Sequence, residues 1–293
     1  MVFFLQLLLD GVSMGFLYGI SAMGFILIYR SGGFLNFAHG GIMTFGAFVF
    51  FSLSVWADWP VIVSFAMTLA SSFILGLILE KCFMRTFLIK ENLIQNILMT
   101  LGLALMLKGL LSFIFGTEMY HLPLFIPETF SLDWHNLQLT PVHISAFIAG
   151  ISVLILYWFF FTFSSQGLAM RSFAENQTAA RSLGVPIKRV FALSWAIAAL
   201  ICALSGMILG MTNGLHVYPL SALGFKVFPV IILGGLNSVG GAILGGIIIG
   251  LLETLTGGYI SQSLQDVIPY IALVLILIIK PSGFFGRAEF EKV

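Results

Sequence analysis

The side chains of this chain that could bind or pass a polar solute are few, and they fall in three places. Asn36 and His39 lie three residues apart in the glycine-rich run RSGGFLNFAHGGIMTFGAF. Glu253 follows the small-residue run GGAILGGIIIG. The stretch SFAENQTAARSLGV, residues 172–185, is the longest polar passage of the chain. Amides, imidazoles and carboxylates exchange hydrogen bonds with polar partners, so each place is a candidate for solute passage or for contact with another protein.

Asn36 and His39 share one face if residues 34–55 form a helix, because side chains three residues apart are neighbours on a helix surface. The flanking glycines allow another backbone to approach closely. Two interpretations are open at this point. The pair could make hydrogen bonds that only hold two helices together, or it could lie beside a translocation path.

Glu253 continues a stripe of small residues, since Ala242, Gly246 and Gly250 are spaced four apart and Glu253 follows three residues later. Such a face lets a second helix pack tightly, which predicts that Glu253 points into a protein interface and not into lipid. A carboxylate at membrane depth costs about 2.5–3.5 kcal/mol to insert, so Glu253 is a functional candidate. A structural hydrogen bond to a neighbouring helix is the equally open alternative.

The elements that position these residues must be membrane helices. Hydrophobic residues make up 59% of the 293 and charged residues 9%, with a mean hydropathy of +1.08. Apolar runs of about 20 residues, the length that crosses a bilayer, recur along nearly the whole chain. We expect an all-α polytopic transmembrane helical bundle that forms a single domain over residues 1–293. The predicted spans are residues 3–29, 34–55, 61–80, 93–115, 142–163, 190–212, a broken region at 225–256, and 267–280.

Charge distribution predicts the orientation of these spans. All of the 13 Lys and Arg residues except Lys108 and Lys226 lie in short connections or near the ends of spans. The positive-inside rule assigns those ends to the cytoplasm and the acidic loop at residues 116–141 to the exterior. Lys108 and Lys226 can extend their long side chains to a membrane surface.

The broken region must cross twice for the basic C-terminal tail to lie inside, which gives about eight to nine crossings in all. Gly234, Gly235 and Asn237 lie at the turn between the two halves, in GGLNSVGG. A glycine-broken segment is tolerated at membrane depth only beside protein or a water-filled cavity. These three residues therefore join Asn36, His39 and Glu253 as candidates for the path or its gate.

The polar stretch 172–185 favours a short helix within a cytoplasmic segment at about residues 164–189. Ala174, Ala179 and Ala180 give this helix a low profile, and Glu175 gives it a polar edge. Gly184 can supply a left-handed stop before the next membrane helix. A rigid contact surface for a partner and a solvated connector are both compatible with this pattern.

The sequence lacks the motifs that are typical of several other functions. The chain contains no G-x-x-x-x-G-K-[ST], so an ATP-driven process would need an ATPase on another polypeptide. It also contains no H-E-x-x-H or G-x-S-x-G, its five histidines are dispersed, and Cys82 and Cys202 have no metal-ligand spacing, so we expect neither catalytic residues nor a metal site. A net charge of +1 without a basic stripe argues against a nucleic-acid partner.

Three passages, GLAMRSFAENQTAARSLGVPIKRV, FLNFAHGGIMTFGAF and LGGLNSVGGAILGGIIIGLLE, together resemble permease subunits of bacterial ABC importers for branched-chain amino acids, the LivH type. The resemblance runs over essentially the whole chain. It implies that the cytoplasmic segment is a coupling helix that docks on an ATPase, with Ala179, Ala180 and Gly184 at the Ala-Ala and Gly positions of the family pattern. Thr178 stands where that pattern has Glu, and Glu175 lies one turn earlier.

The resemblance further implies a single permease domain in the bacterial inner membrane and an assembly with other subunits. These are a second homologous permease subunit, two cytoplasmic ATPase subunits that bind ATP, and a periplasmic substrate-binding protein. This chain itself would bind no cofactor. Coupling would involve Ala174, Glu175, Ala179, Ala180 and Gly184. A permease for urea or short amides built on the same pattern stays open, as does a secondary transporter driven by an ion gradient.

Overall fold

The computed structural model describes residues 2–85, 93–127, 132–134, 137–175 and 177–286. In chain order the elements are α1 (Val2–Gly32), α2 (His39–Phe51), α3 (Val61–Leu79), α4 (Leu93–Phe115), β1 (Leu132–Trp134), β2 (Leu137–Leu139), α5 (Pro141–Phe163), α6 (Ser165–Glu175), α7 (Gln177–Ser182), α8 (Ile187–Asn213), α9 (Val217–Gly234), α10 (Val239–Tyr259), α11 (Gln262–Gln265) and α12 (Ile268–Ile279). Short π-helical segments, Ser52–Trp56 and Glu80–Met84, extend α2 and α3. Lys90, Arg287 and Lys292, which contributed to the predicted orientation, lie outside the described residues.

Eight helices of the described chain are long and apolar enough to cross a membrane, and α12 is a shorter apolar helix. This confirms the predicted all-α polytopic bundle. The predicted broken region is also two helices, α9 and α10, joined by a turn. However, α9 begins at Val217, whereas the prediction placed the start at residue 225. The first residues of α9, VYPLSALG, include polar and small side chains that lower the local hydropathy. The hydropathy pattern therefore placed the start of this helix too far along the chain.

Contacts divide the chain into two compact units. The first unit contains residues 1–26, 124–150 and 225–293, and the second contains residues 27–123 and 151–224.

In the first unit, α1 and α10 interlock through small residues. A Cβ atom built on Gly246 would meet the carbonyl oxygen of Gly15, and one on Gly250 would meet that of Gly11. Thr254 adds a hydrogen bond from its hydroxyl to the Leu7 carbonyl at 3.1 Å. Backbones approach this closely only where side chains are absent, so the stripe predicted on α10 is matched by a second stripe on α1.

The first unit also ties the start of α1 to the β1–β2 hairpin. β1 and β2 pair antiparallel, and the Gln138 amide donates to the Gln6 side chain at 2.9 Å. His143 lies 2.9 Å from Asp10. The beginning of α1 and residues 137–143 therefore lie at the same end of this unit. Residues 128–131 and 135–136 of the predicted exterior loop lie outside the described residues.

In the second unit, α8 packs against α2 and α3. Cβ atoms built on Gly46 and Gly76 would meet Ala203 and the backbone at Trp195, respectively. On α3 the small residues Ser64, Thr68 and Ser72 are fully buried, while isoleucines on its other faces are exposed. Small residues face helices and large apolar residues face outward, which is the arrangement expected of a helix in lipid.

The cytoplasmic end predicted for α3 carries an ion pair. Arg85 donates two hydrogen bonds to the buried Glu80 carboxylate, at 3.1 and 2.8 Å. These hydrogen bonds raise the pKa of the Arg85 guanidinium from its usual value. Glu80, at the end of the span, is thereby compensated by a charge just beyond it.

Candidate functional site

The predicted coupling segment is helical on both sides of residue 176, which lies outside the described residues. α6 starts at Ser165, directly after α5, and α7 ends at Ser182. Gly184 adopts a left-handed φ of 78°, and the amides of Leu183 and Val185 donate to the carbonyls of Ala179 and Ala180, each at 3.0 Å. A left-handed residue closed by such bonds ends a helix, so the stop predicted at Gly184 is present.

One face of this segment packs against its own unit. Gly167, Met170 and Phe173 of α6 are buried, and a Cβ atom built on Gly167 would meet the Phe160 carbonyl of α5. Ala180 of α7 is also buried, and Ala174 is half-buried. These small residues let α6 and α7 lie close to the membrane helices, so the segment is held by packing and not only by its two connections.

The opposite face is open. Glu175 and Ala179 are exposed, and Leu183, between α7 and the left-handed glycine, is 82% exposed. Leu183 is not among the residues predicted for coupling. The sequence does contain a feature that could have identified Leu183. It is an apolar residue inside the polar stretch 172–185, directly before the helix stop, where an exposed position would ordinarily be polar. A rigid surface with a protruding leucine suits contact with another protein.

Asn36 and His39 do not share a helical face, which corrects the prediction. α2 begins at His39, and Asn36 lies in the preceding turn, where its side-chain oxygen accepts a hydrogen bond from the Ala38 amide at 3.0 Å. Asparagine competes for backbone hydrogen bonds in this way and so favours a turn over a helix. Asn36 is fully buried, and its amide nitrogen has no hydrogen-bond partner among the described residues. His39 is buried with its Nδ1 3.3 Å from Sγ of Cys202.

Gly234, Gly235 and Asn237 lie together at the turn between α9 and α10. Gly235 has a left-handed φ of 100°, and a Cβ atom built on Gly234 would meet the Gly241 carbonyl. Asn237 is half-buried. Ser238 caps α10 by accepting a hydrogen bond from the Gly241 amide at 3.0 Å. The amides of Phe284 and Phe285 donate to carbonyls at the end of α9, so the chain after α12 covers this turn.

Glu253 belongs to a buried ionic cluster. Its carboxylate is 2.5 Å from Nζ of Lys226 on α9, and Nζ is also 2.8 Å from the carboxylate of Asp266. Glu253 and Lys226 are buried, whereas the Asp266 side chain is 78% exposed. Tyr18 of α1 hydrogen-bonds to Glu253 as well. The prediction that Lys226 extends freely to a membrane surface is therefore wrong, because its buried side chain is paired with the buried Glu253 as well as with the exposed Asp266.

The path candidates are divided between the two units, and those of the first unit do not lie at one point. Asn36 and His39 belong to the second unit, and the other four belong to the first. Within the first unit, Glu253 lies 14 residues along α10 from its first residue, or about 20 Å from the glycine turn at 1.5 Å per residue. The turn and the ionic cluster are separate features at different depths of the same helix.

Residues 7–277 match the protein family described as branched-chain amino acid transport system / permease component. The chain is 30% identical over 310 residues to the high-affinity branched-chain amino acid transport system permease protein LivH of Escherichia coli (strain K12), covering 100% of this chain and 98% of the relative. It is 26% identical over 302 residues to the corresponding protein BraD of Pseudomonas aeruginosa, covering 99% and 98%. No solved structure matches the chain.

Proposed function

This chain belongs to the family of branched-chain amino acid transport system permease components, and from that premise we propose that it is the membrane-spanning subunit of an ATP-driven ABC importer for branched-chain amino acids. The full-length match to such permeases carries the proposal. The eight long apolar helices among the described residues suit a multi-pass membrane protein. The chain forms one permease domain in the bacterial inner membrane and has no catalytic activity of its own.

The importer contains a second homologous permease subunit, two cytoplasmic ATPase subunits and a periplasmic substrate-binding protein. ATP binds to the ATPase subunits, and this chain needs no cofactor. Its α6–α7 segment docks on one ATPase subunit. Glu175, Ala179 and Leu183 provide the contact surface, because they are exposed. Ala174, Ala180 and Gly184 keep the segment close to the membrane helices and end it sharply.

The segment can transmit motion because it is rigidly attached. Buried residues fix α6 to the membrane helices of its unit, and the stop at Gly184 leaves only Val185 and Pro186 before α8 begins at Ile187. When the ATPase subunits close, a segment held in this way moves the membrane helices as rigid bodies. Asn36, His39, Gly234, Gly235, Asn237 and Glu253 remain the proposed path or gate residues of this alternating access.

Co-purification and uptake test this function. The chain is expressed with its candidate partners in a strain lacking its own branched-chain amino acid uptake, and the complex is isolated in mild detergent. We expect an ATPase to co-purify and labelled leucine to enter cells in an ATP-dependent manner. Uptake of labelled urea in place of leucine would support the alternative permease of the same pattern, and absence of any ATPase would contradict the proposal.

The buried Lys226–Glu253 ion pair is the observation that favours a secondary transporter, because such proteins use buried charges to couple ion movement. However, the charges of Lys226 and Glu253 compensate each other, and the family match favours ATP-driven transport. Proteoliposomes that contain this chain alone distinguish the two functions. Leucine uptake driven by a proton or sodium gradient, without ATP, would establish the secondary transporter.

A further inference from the structure

The chain after α12 is held on the turn between α9 and α10 by its backbone. Residues 280–286, the strap, follow α12 directly. The amide of Phe284 donates a hydrogen bond to the Leu233 carbonyl at 2.8 Å, and the amide of Phe285 donates one to the Gly234 carbonyl at 3.2 Å. Leu233 and Gly234 are the last two residues of α9. Because the last carbonyls of a helix have no partners inside the helix, the strap completes the end of α9.

Glycines bring the strap and the turn into backbone contact. Gly283 has a left-handed φ of 73°, and a Cβ atom built on it would meet the Ile232 carbonyl and the backbone of Gly235. A Cβ atom built on Gly235 would in turn meet the backbone of Gly286. Backbones approach this closely where side chains are absent. A shift of the turn relative to the strap would therefore break the hydrogen bonds and the glycine contacts together.

Side-chain packing does little to hold α12 in place. Of its 12 residues only Pro269 and Ile276 are buried, while Ile278 and Ile279 at its end are 75% and 77% exposed. The helix is about 18 Å long at 1.5 Å per residue, shorter than the roughly 30 Å of hydrocarbon that a span must cross. Backbone that follows so short a helix lies where water is scarce, and its polar groups need partners within the protein. The carbonyls of α9 provide such partners for the strap.

A second attachment joins α12 to α9 at its other end. Asp266, just before α12, pairs with Lys226 of α9 at 2.8 Å. Lys226 lies near the middle of α9, whereas the strap is bound at its end. Glu253 attaches α10 to the same lysine. Two attachments at separate points prevent rotation as well as displacement, whereas the exposed Asp266 alone would hold α12 weakly.

We propose that the strap is a clamp that fixes the turn between α9 and α10 to the end of α12, so that the three helices move as one rigid body during transport. Gly283 is the positioning residue of this clamp, since it acts through the turn. This role rests on the proposed transport function, in which the turn belongs to the path or gate. A clamped turn passes the movement of one helix to the other two, whereas a free turn lets them move independently.

Gly283→Ala tests the clamp in the complex reconstituted with its partner subunits. The added Cβ collides with the end of α9, so we expect the leucine transported per ATP hydrolysed to fall about tenfold, within the range by which residues outside a binding site alter coupling. The yield of the complex should be unchanged, whereas a folding defect would lower it. Gly116→Ala is the matched control, because Gly116 has a φ of 74° and a Cβ atom there meets nothing within 4 Å. Equal losses in the two variants would overturn the proposal.

Crosslinking measures the docking of the strap without transport. Leu236→Cys/Phe285→Cys places two thiols beside the contact of Gly235 with Gly286. The pair is made in a Cys82→Ser background, because Cys82 is exposed. A bifunctional thiol reagent should join the two positions within one chain. Leucine uptake should equal that of the same variant before the reaction, since a link across a clamp that stays closed changes nothing.

Adding Gly283→Ala to the cysteine pair should lower the crosslinking yield, because the alanine pushes the strap off the turn. Absence of the crosslink without that change would show that the strap is not docked. Loss of uptake on crosslinking, with recovery when a cleavable reagent is cut, would show that the strap must detach during transport. Either result would overturn the clamp. Neither bears on the proposed transport function, which the unaltered complex tests through its ATPase and its leucine uptake.

Discussion

Lys226 forms ion pairs with two carboxylates that differ in burial. This difference in burial determines how much each ion pair contributes to the stability of the protein. Glu253 is almost fully buried, and its removal would leave the ammonium facing only the exposed Asp266. Breaking a buried pair is costly because the remaining charge loses its compensation, whereas an exposed partner is replaced by water. The cluster is therefore held mainly by the Lys226–Glu253 contact.

We predict that Glu253→Gln lowers the free energy of unfolding by ~3 kcal/mol, while Asp266→Asn lowers it by at most about 1 kcal/mol. The double variant Lys226→Met/Glu253→Gln should lose less than the sum of its single variants, since it leaves no uncompensated charge. Unfolding by SDS in mixed micelles measures the unaltered protein, Lys226→Met, Glu253→Gln, Asp266→Asn and the double variant. Additive losses would show that the two side chains do not interact.

The burial of Glu253 could be predicted from sequence, but its partner could not. Its spacing from Ala242, Gly246 and Gly250 placed it on the packed face of a helix. Lys226 lies 27 residues away, and its meeting with Glu253 depends on where α9 begins and how tightly Gly235 turns the chain. The prediction that Asn36 lies in a helix was wrong for a local reason. Its side chain accepts a hydrogen bond in the turn before α2, and a hydropathy pattern cannot distinguish that turn from the helix that follows.

At the scale of elements, the α1–α10 contact depends on glycines whose neighbours are backbone atoms. A side chain at Gly246 would collide with the Gly15 carbonyl, and backbone of a packed helix cannot yield as a flexible side chain can. Gly240 belongs to the same helix, but a Cβ atom there meets nothing within 4 Å. The two glycines allow a matched comparison.

We predict that Gly246→Val destabilises the protein by about 1–3 kcal/mol, the usual cost of overpacking. Gly240→Val at the exposed start of α10 should leave the melting temperature nearly unchanged. Fluorescence-detected size-exclusion chromatography after heating in detergent compares the two variants. Equal melting temperatures would mean that α1 and α10 do not pack at this closeness.

Across the whole molecule, the number of helices and their alternation follow from hydropathy and charge, while the partner-facing surface does not. The apolar runs and the basic connections were enough to require two crossings in the region of α9 and α10. Which side of the α6–α7 segment faces outward depends on the packing of Gly167, Met170 and Phe173. That packing turned Ala180 inward and left Leu183 exposed, a division that residue type alone does not predict.

The exposed Leu183 provides the test of coupling. Leu183→Asp should abolish co-purification of the ATPase, or lower ATP-dependent leucine uptake at least tenfold, because a buried interface leucine replaced by a charge costs more than 1.4 kcal/mol of binding. The folded state should be retained, since Leu183 is 82% exposed within the chain. Ile260→Asp is the matched control, an apolar-to-Asp change at a 71% exposed residue after α10, at the predicted exterior end. Loss of the ATPase in both variants, or in neither, would contradict docking at α7.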